Sequence, residues 1–342
     1  MFLDRHALRR HRARSQSGLA LRPRRLRSGS RRDQLMKEVH APRTFELVRD
    51  SDRALVFHFL DEIGFALKDG QNVKIKFDRT VELHPCGTLV FMARLDCWML
   101  KYPGRLFCNY PKDEVVEQLF QHVGLLARFG LEPRREISNE RVAFWHFHSG
   151  SKADPSAFLD MTLAAVKEID HPNAMLFADC LNEAICNTVG HAYKQSKEVD
   201  VPLGFRKWWI FSQFRDERFF VAIYDVGDGI PRTLRRKPEW IEFLRARQYN
   251  DAKIIRSAIE SNRTSTRQPE RGKGLPEMLE FSKSLKAGGL SILSAKGGFE
   301  YAADTSTMRN RKFSLPLGGT LVQWAIPFRK EHGHGNDELL NS

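Results

Sequence analysis

One run of residues limits this chain more than any other. Glu217 to Val226 (E-R-F-F-V-A-I-Y-D-V) is strongly β-prone and ends in Asp225-Val226-Gly227-Asp228-Gly229-Ile230-Pro231. A carboxylate at a strand end, followed by two glycines two apart, places an acceptor in a pocket and lets backbone approach a ligand closely. The stretch before it is helical: from Asn173 to Tyr193, apolar residues recur at Leu176, Phe177, Leu181, Ala184 and Ile185, the spacing of one buried helix face. Asp179, Glu183, Asn187 and His191 lie four residues apart, so they form a second ridge of carboxylate, carboxylate, amide and imidazole. Two more glycine motifs follow. Arg271-Gly272-Lys273-Gly274-Leu275-Pro276 opens a helix through Met278, Leu279, Phe281 and Leu285, and Gly318-Gly319-Thr320 leads into the apolar strand Leu321 to Pro327. Glycines ahead of a helix expose free N–H groups that bind phosphate oxygens. Each piece alone has a plainer reading, a solvated helix face or a simple turn. Helix, strand, helix and strand in this order point to an α/β fold.

The first half of the chain has its own alternation. Asn72 to Phe77 alternates polar and apolar residues as a half-buried strand does. Gly87 to Leu100 is long enough for a helix, Arg105 to Tyr110 reads as a short strand, and Pro111 and Asp113 open an amphipathic helix closing near Gly130. Strand, helix, strand, helix, joined by right-handed crossovers, gives a small α/β domain. The polar stretch Ser149 to Pro155 reads as the boundary between the halves. Gly87 to Leu100 is also the longest apolar stretch, yet Arg94 and Asp96 break it, and a membrane span needs roughly 18 apolar residues. The expectation is a cytoplasmic protein with no membrane contact. Its five cysteines form neither a C-x-x-C pair nor a zinc cluster, so they are expected to be reduced thiols.

The net charge of +13 lies mostly in one segment. Residues 1–32 hold eleven arginines and one acid, Asp4, which leaves only +3 for the other 310 residues. This segment lacks apolar periodicity and is expected to be disordered. Three readings of it are open: a nucleic-acid-binding arm, a transit peptide, or an over-long start with Met36 as the true initiator. Structure-like sequence begins only after Met36, so no nucleic-acid partner is expected.

Taken together, the four motifs of the second half resemble the GHKL ATPase superfamily, the Bergerat-fold group of gyrase-type topoisomerases, heat-shock chaperone ATPases, histidine kinases and mismatch-repair proteins. The resemblance covers roughly Pro155 to Phe328, and the run Glu183 to Tyr193 (E-A-I-C-N-T-V-G-H-A-Y) is most similar to the anti-sigma-factor serine kinases. It implies a two-layer α/β sandwich with a mixed sheet that binds ATP with Mg²⁺. Asn187 then matches the Mg²⁺ ligand, and Glu183 the catalytic carboxylate that polarises the attacking water or hydroxyl. Asp225 matches the aspartate that reads the adenine amine, with Thr320 supporting the same contact. Gly227 and Gly229 would seat the adenine. Gly272 and Gly274 would wrap the phosphates, with Lys273 an extra positive charge beside them. His191 stands in a family-typical position, structural or functional. Arg232 to Glu270 would be the ATP lid, with Pro238 to Ile259 helical and Ser261 to Pro269 a hinge. Residues 232–273 hold twelve Lys or Arg against five Asp or Glu, and Arg263, Arg267 and Arg271 could fold over the triphosphate. The second glycine box departs from the family's G-x-G-L-G-L by carrying Pro276.

The first half resembles a STAS domain, the anti-sigma-antagonist fold. In phosphorylatable members the turn before the first helix reads D-S-S-G or D-S-T-G. Here it is His84-Pro85-Cys86-Gly87, so the glycine is kept and Pro85 stands where the hydroxyl would be. A docking or dimerisation role, with a homodimer as one outcome, is what remains. No helical hairpin presenting a phosphoacceptor histidine precedes the ATPase-like half, since Glu140 to His148 reads as a strand, so histidine autokinase activity is not expected. The expected organisation is a basic tail over 1–35, a STAS-like domain over 36–148, a GHKL-type domain over 149–330 and a tail over 331–342. The expected function is Mg-ATP-dependent control of a regulatory protein partner, as a serine/threonine protein kinase or ATPase. An ATP-gated interaction module without turnover and a nucleic-acid-associated ATPase are the alternatives.

Overall fold

Val73 and Ile75 alternate with Asn72, Lys74 and Lys76, and the alternation makes a strand with one buried face. In the computed structural model, which describes residues 36–139, 142, 145–152, 174–193, 205–215, 217–238, 240–241, 249–260 and 274–327, this strand is β2 (Asn72–Lys76). It is the centre of a parallel sheet between β1 (Met36–His40) and β3 (Leu106–Cys108). The expected tails over 1–35 and 331–342 lie outside the described residues.

Two helices lie on the buried face of that sheet. α1 (Asp50–Lys68) buries Val56, Phe57, Phe59, Leu60, Ile63 and Leu67. α2 (Pro85–Lys101) is the expected helix of Gly87 to Leu100, begun by Pro85 in its first turn, where the missing N–H costs nothing. Gly87 is needed for packing, since a Cβ there would lie 2.0 Å from the Phe45 carbonyl oxygen. The helix expected from Asp113 to Gly130 is two helices. Asp113 caps α3 (Glu114–His122) by accepting from the Val116 amide at 3.0 Å. Gly124, in the left-handed region with φ 73°, then turns the chain into α4 (Leu125–Arg128).

The second half is built on a five-stranded antiparallel sheet, ordered β4 (Trp145–Gly150), β5 (Trp208–Arg215), β6 (Arg218–Asp225), β8 (Thr307–Pro327), β7 (Gly289–Ala302). Ser149 and Gly150, the start of the expected linker, are the last residues of β4. Trp208 to Gln213 of β5 are buried, and Phe214 is partly so. β7 and the first half of β8 carry no motif and are additions to the expected elements, as are β1 and α1.

Both faces of this sheet are covered. On one side Phe177, Leu181 and Ile185 of α5 (Ala174–Asn187), with Met278, Leu279 and Phe281 of α8 (Gly274–Lys283), pack on Ile210, Val221, Ile223, Ile292 and Trp324. On the other, α1 and α2 share one continuous core with Trp209, Phe211, Ala222, Tyr224, Leu293 and Leu321. The layers therefore run parallel sheet, helices, antiparallel sheet, helices. From Met36 onward the chain is one compact unit, a mixed α/β fold with parallel and antiparallel sheets. Between β6 and α8 come α6 (Ile230–Arg235) and α7 (Asp251–Glu260). The helix expected from Pro238 to Ile259 is interrupted, because Tyr249 and Asn250 are not helical and Asn250 Oδ1 accepts from the Lys253 amide at 3.0 Å, starting a new helix.

Candidate functional site

Glu183 and Asn187 sit one turn apart at the C-terminal end of α5, where Asn187 Nδ2 donates to Glu183 Oε1 at 3.2 Å. That bond turns the amide nitrogen towards Glu183 and leaves the amide oxygen for another partner. α8 meets this pair through Gly274: a Cβ there would lie 2.1 Å from Glu183 Cγ and 2.5 Å from Oε1. Only glycine lets the start of α8 approach the carboxylate so closely. Burial raises the Glu183 carboxyl above the ordinary range, and the like charge of Glu277 in the first turn of α8 raises it further, while the Asn187 bond opposes both.

Beyond Asn187 the helix does not stop but widens into a π-helical turn, Thr188–Ala192. Such turns are rare and concentrate at functional sites. This one carries Ala192 to the glycine loop after β6. The Asp228 amide donates to the Ala192 carbonyl oxygen at 2.6 Å, and a Cβ on Gly227 would lie 2.2 Å from that same oxygen. Tyr193, next in the chain, donates its hydroxyl to the Lys207 carbonyl oxygen and accepts from the Val226 amide at 3.3 Å. The sequence run Glu183 to Tyr193 thus joins Asn187 to the residues flanking Asp225 through one turn of π-helix.

Asp225 ends β6 and is paired in register with Thr320 of β8. Its carboxylate accepts from the Gly227 amide at 2.8 Å. Burial pushes this carboxyl up to about 7, although backbone donors from Gly227 and Thr320 favour the charged form. Behind it, Gly319 (φ 93°) crosses so near that a Cβ would lie 1.9 Å from the Asp225 carbonyl oxygen. Ser294 of β7 ties the corner: its Oγ lies 2.9 Å from the Gly319 carbonyl oxygen, 3.2 Å from Thr320 Oγ1 and accepts from the Ile230 amide at 3.0 Å. Gly229, at φ 77°, presses on the same hydroxyl, its Cβ position lying 2.7 Å from Ser294 Oγ. Ser294 has no sequence motif around it, so no pattern in the chain points to it. Asp228 is a buried partner of Arg236 at 2.9 Å and Arg232 at 4.0 Å.

Among the residues singled out from the sequence, Glu183, Asn187 and Gly274 are in direct contact, and Asp225, Gly227, Gly229 and Thr320 form a second contiguous group reached through Ala192. Gly272, Lys273, Arg263, Arg267 and Arg271 lie outside the described residues, as does the hinge Ser261 to Pro269. A surface cleft of about 500 Å³ lined by Lys37, His58 and Glu62, and another of about 350 Å³ lined by Arg218, Gly289 and Thr307, contain none of these residues. No group of three metal-ligating His, Cys, Asp or Glu side chains occurs among the described residues.

Comparison with other proteins adds nothing to this geometry. No family model, no curated protein and no solved structure matches the chain. All five cysteines are free. Burial pushes the Cys86 thiol, in the first turn of α2, up to about 12, and its Sγ donates to Gln323 Oε1 at 2.8 Å. No helix among the described residues is long and apolar enough to cross a membrane.

Proposed function

We propose that this chain is a Mg-ATP-binding regulatory protein of the GHKL type, with a Bergerat-like arrangement in its second half, acting as a serine/threonine protein kinase or ATPase towards a protein partner. The observation that carries the reading is the contact of Gly274 with the Glu183–Asn187 pair, because it brings a glycine-lined helix start to a carboxylate and an amide oxygen. That is the donor set phosphoryl transfer uses: N–H groups for phosphate oxygens, an oxygen ligand for a hard cation, and a base.

In this reading Asn187 Oδ1 is the protein's ligand to Mg²⁺, and the ion, when bound, neutralises phosphate charge. The residues present fit such a group, since the amide nitrogen is already engaged by Glu183 and the oxygen is not needed for that bond. Glu183 accepts the proton of the attacking hydroxyl or water, a task suited by a carboxyl raised through burial. Asp225, flanked by Gly227 and Thr320, accepts from the exocyclic amine of adenine and disfavours guanine, whose oxygen there would meet a carboxylate. Gly272 and Lys273 extend the phosphate cradle by their place in the sequence. A turnover role is favoured over an ATP-gated module because a pure binding site has no use for Glu183.

The test is incubation of the full chain with γ-labelled ATP, Mg²⁺ and cell lysate, alongside Glu183→Gln and Asp225→Asn. Label on a protein identifies a kinase, free phosphate an ATPase, and retained nucleotide alone the gated module. Absence of nucleotide binding in the unaltered chain would sink the proposal.

A further inference from the structure

Three residues of the site stand side by side on one face of the antiparallel sheet. Asp225 of β6 is the cross-strand partner of Thr320 in β8, and Thr320 is the partner of Ser294 in β7. Paired residues of neighbouring antiparallel strands point to the same side, with Cβ atoms roughly 5 Å apart. Thr320, half-buried, therefore lies between the Asp225 carboxylate and the fully buried Ser294 hydroxyl. That hydroxyl has one proton and two lone pairs. Its proton goes to the Gly319 carbonyl oxygen at 2.9 Å, and one lone pair takes the Ile230 amide at 3.0 Å. The other lone pair faces Thr320 Oγ1 at 3.2 Å. With the serine proton spent on a carbonyl, this last bond forms only if Thr320 donates. What Thr320 Oγ1 then offers to any other group is lone pairs. Ser294 is held in this role from the far side as well, since the Cβ position of Gly229 lies 2.7 Å from its Oγ.

A group seated against both Asp225 and Thr320 has to donate twice. We propose that Ser294 is a positioning residue that keeps Thr320 an acceptor, so that a base read at Asp225 must bring an exocyclic amine with two hydrogens, one for each oxygen. The inference rests on Asp225 as the adenine-reading carboxylate and supplies the other half of the selection. A base with an oxygen in place of that amine meets two acceptors and finds no donor, and a site built to pair one polar group rejects the analogue that lacks it. Threonine alone would not discriminate in this way. Its hydroxyl rotates and serves as donor or acceptor alike, so without Ser294 the same side chain would accept from an amine or donate to a carbonyl oxygen.

The experiment titrates the full chain and Ser294→Ala with ATP and with inosine triphosphate, in which an oxygen replaces the amine and N1 carries a proton, both in Mg²⁺. The readout is the ratio of the two dissociation constants, because a serine that only held the corner together would weaken both nucleotides alike and leave the ratio unmoved. The parent should prefer ATP by about a hundredfold or more. In Ser294→Ala the freed threonine proton can meet the inosine oxygen, and the preference should shrink by about tenfold. Ser294→Cys fills the same space with a weak acceptor and should shrink it too, which serves if the alanine variant fails to fold. A parent that binds ATP without preference, or a ratio unchanged or larger in the folded variants, overturns the role of Ser294 and leaves the nucleotide reading standing. No ATP binding by the parent overturns both.

Discussion

Replacing Asp225 by asparagine removes a titrating group without changing its size. In the folded chain burial lifts this carboxyl from 3.8 to about 7, so between those values the native state keeps a proton that the unfolded state has lost. Stability must therefore fall as pH rises through this window and level off above 7. A tenfold change in proton affinity is worth about 1.4 kcal/mol, which gives a penalty of roughly 4 kcal/mol at high pH and a loss of roughly 3 kcal/mol between pH 5 and pH 8.5. The amide introduced by Asp225→Asn would not titrate. It would also leave one of the Gly227 and Thr320 amides facing an NH₂ group, a cost of about 1–3 kcal/mol that is the same at both pH values. Urea unfolding of both proteins at pH 5 and 8.5 separates the two effects, because the offset and every other titrating group cancel in the double difference. The parent should lose roughly 3 kcal/mol more than the variant over this range. Parallel pH profiles would refute the burial argument. If the carboxylate form is also what adenine requires, ATP binding near pH 7 releases a proton from the parent, detectable by calorimetry in buffers of different ionisation enthalpy, and none from the variant.

Gly274→Ala and Gly227→Ala should both destabilise, and only the first acts through Glu183. The first displaces the Glu183 side chain from Cγ outward and should cost turnover and roughly 1–3 kcal/mol, whereas the second drives into the Ala192 carbonyl and should cost roughly 2–4 kcal/mol, both read in urea unfolding. Glu183→Gln should lower phosphate transfer or release by about 10²–10⁴-fold while nucleotide affinity stays within a few-fold, measured by single-turnover assay and equilibrium binding; full turnover would remove Glu183 as the base. A fragment of residues 149–342 would expose Trp209, Phe211, Tyr224, Leu293 and Leu321. It should aggregate or bind hydrophobic dyes, and a soluble fragment that unfolds cooperatively would contradict the shared core.

Some elements are legible in the sequence because their pattern and environment agree. β2 and α8 carry a single buried face with the matching period, α2 is a long apolar run buried on all sides over Gly87 to Ala93, and β6 ends at the carboxylate its glycines announce. The first half of β8 is opaque for a physical reason: over Thr307 to Lys312 the strand runs through exposed and half-exposed residues, so no apolar run marks it. α1 has a continuous apolar stripe at helical spacing from Val56 to Leu67, with the buried Arg53 at its N-terminal end, so its pattern is there to be read. The break at Gly124 and the π-helical turn depend on backbone angles that side-chain periodicity does not report. At the site, the glycines are recognisable but their partners are not. Gly274 against Glu183 and Gly227 against Ala192 are contacts between distant segments, and Ser294 is an isolated serine in an unmarked strand.

The two halves meet at Asp96, and this alters what the first half can be for. Its carboxylate accepts from Arg128 Nε at 3.1 Å, Trp209 Nε1 at 2.9 Å and Lys207 Nζ at 2.5 Å. Burial alone would raise this group, yet Arg128 and Lys207 outweigh burial and hold it below the usual carboxylate range. The Lys207 carbonyl in turn receives the Tyr193 hydroxyl, and Tyr193 receives the amide of Val226, the neighbour of Asp225. A docking module hung on a linker would not bury a carboxylate in its neighbour's sheet, since breaking such a network costs several kcal/mol. The parallel sheet and its helices act as the floor of the antiparallel sheet, fixing the strand end on which Asp225 sits.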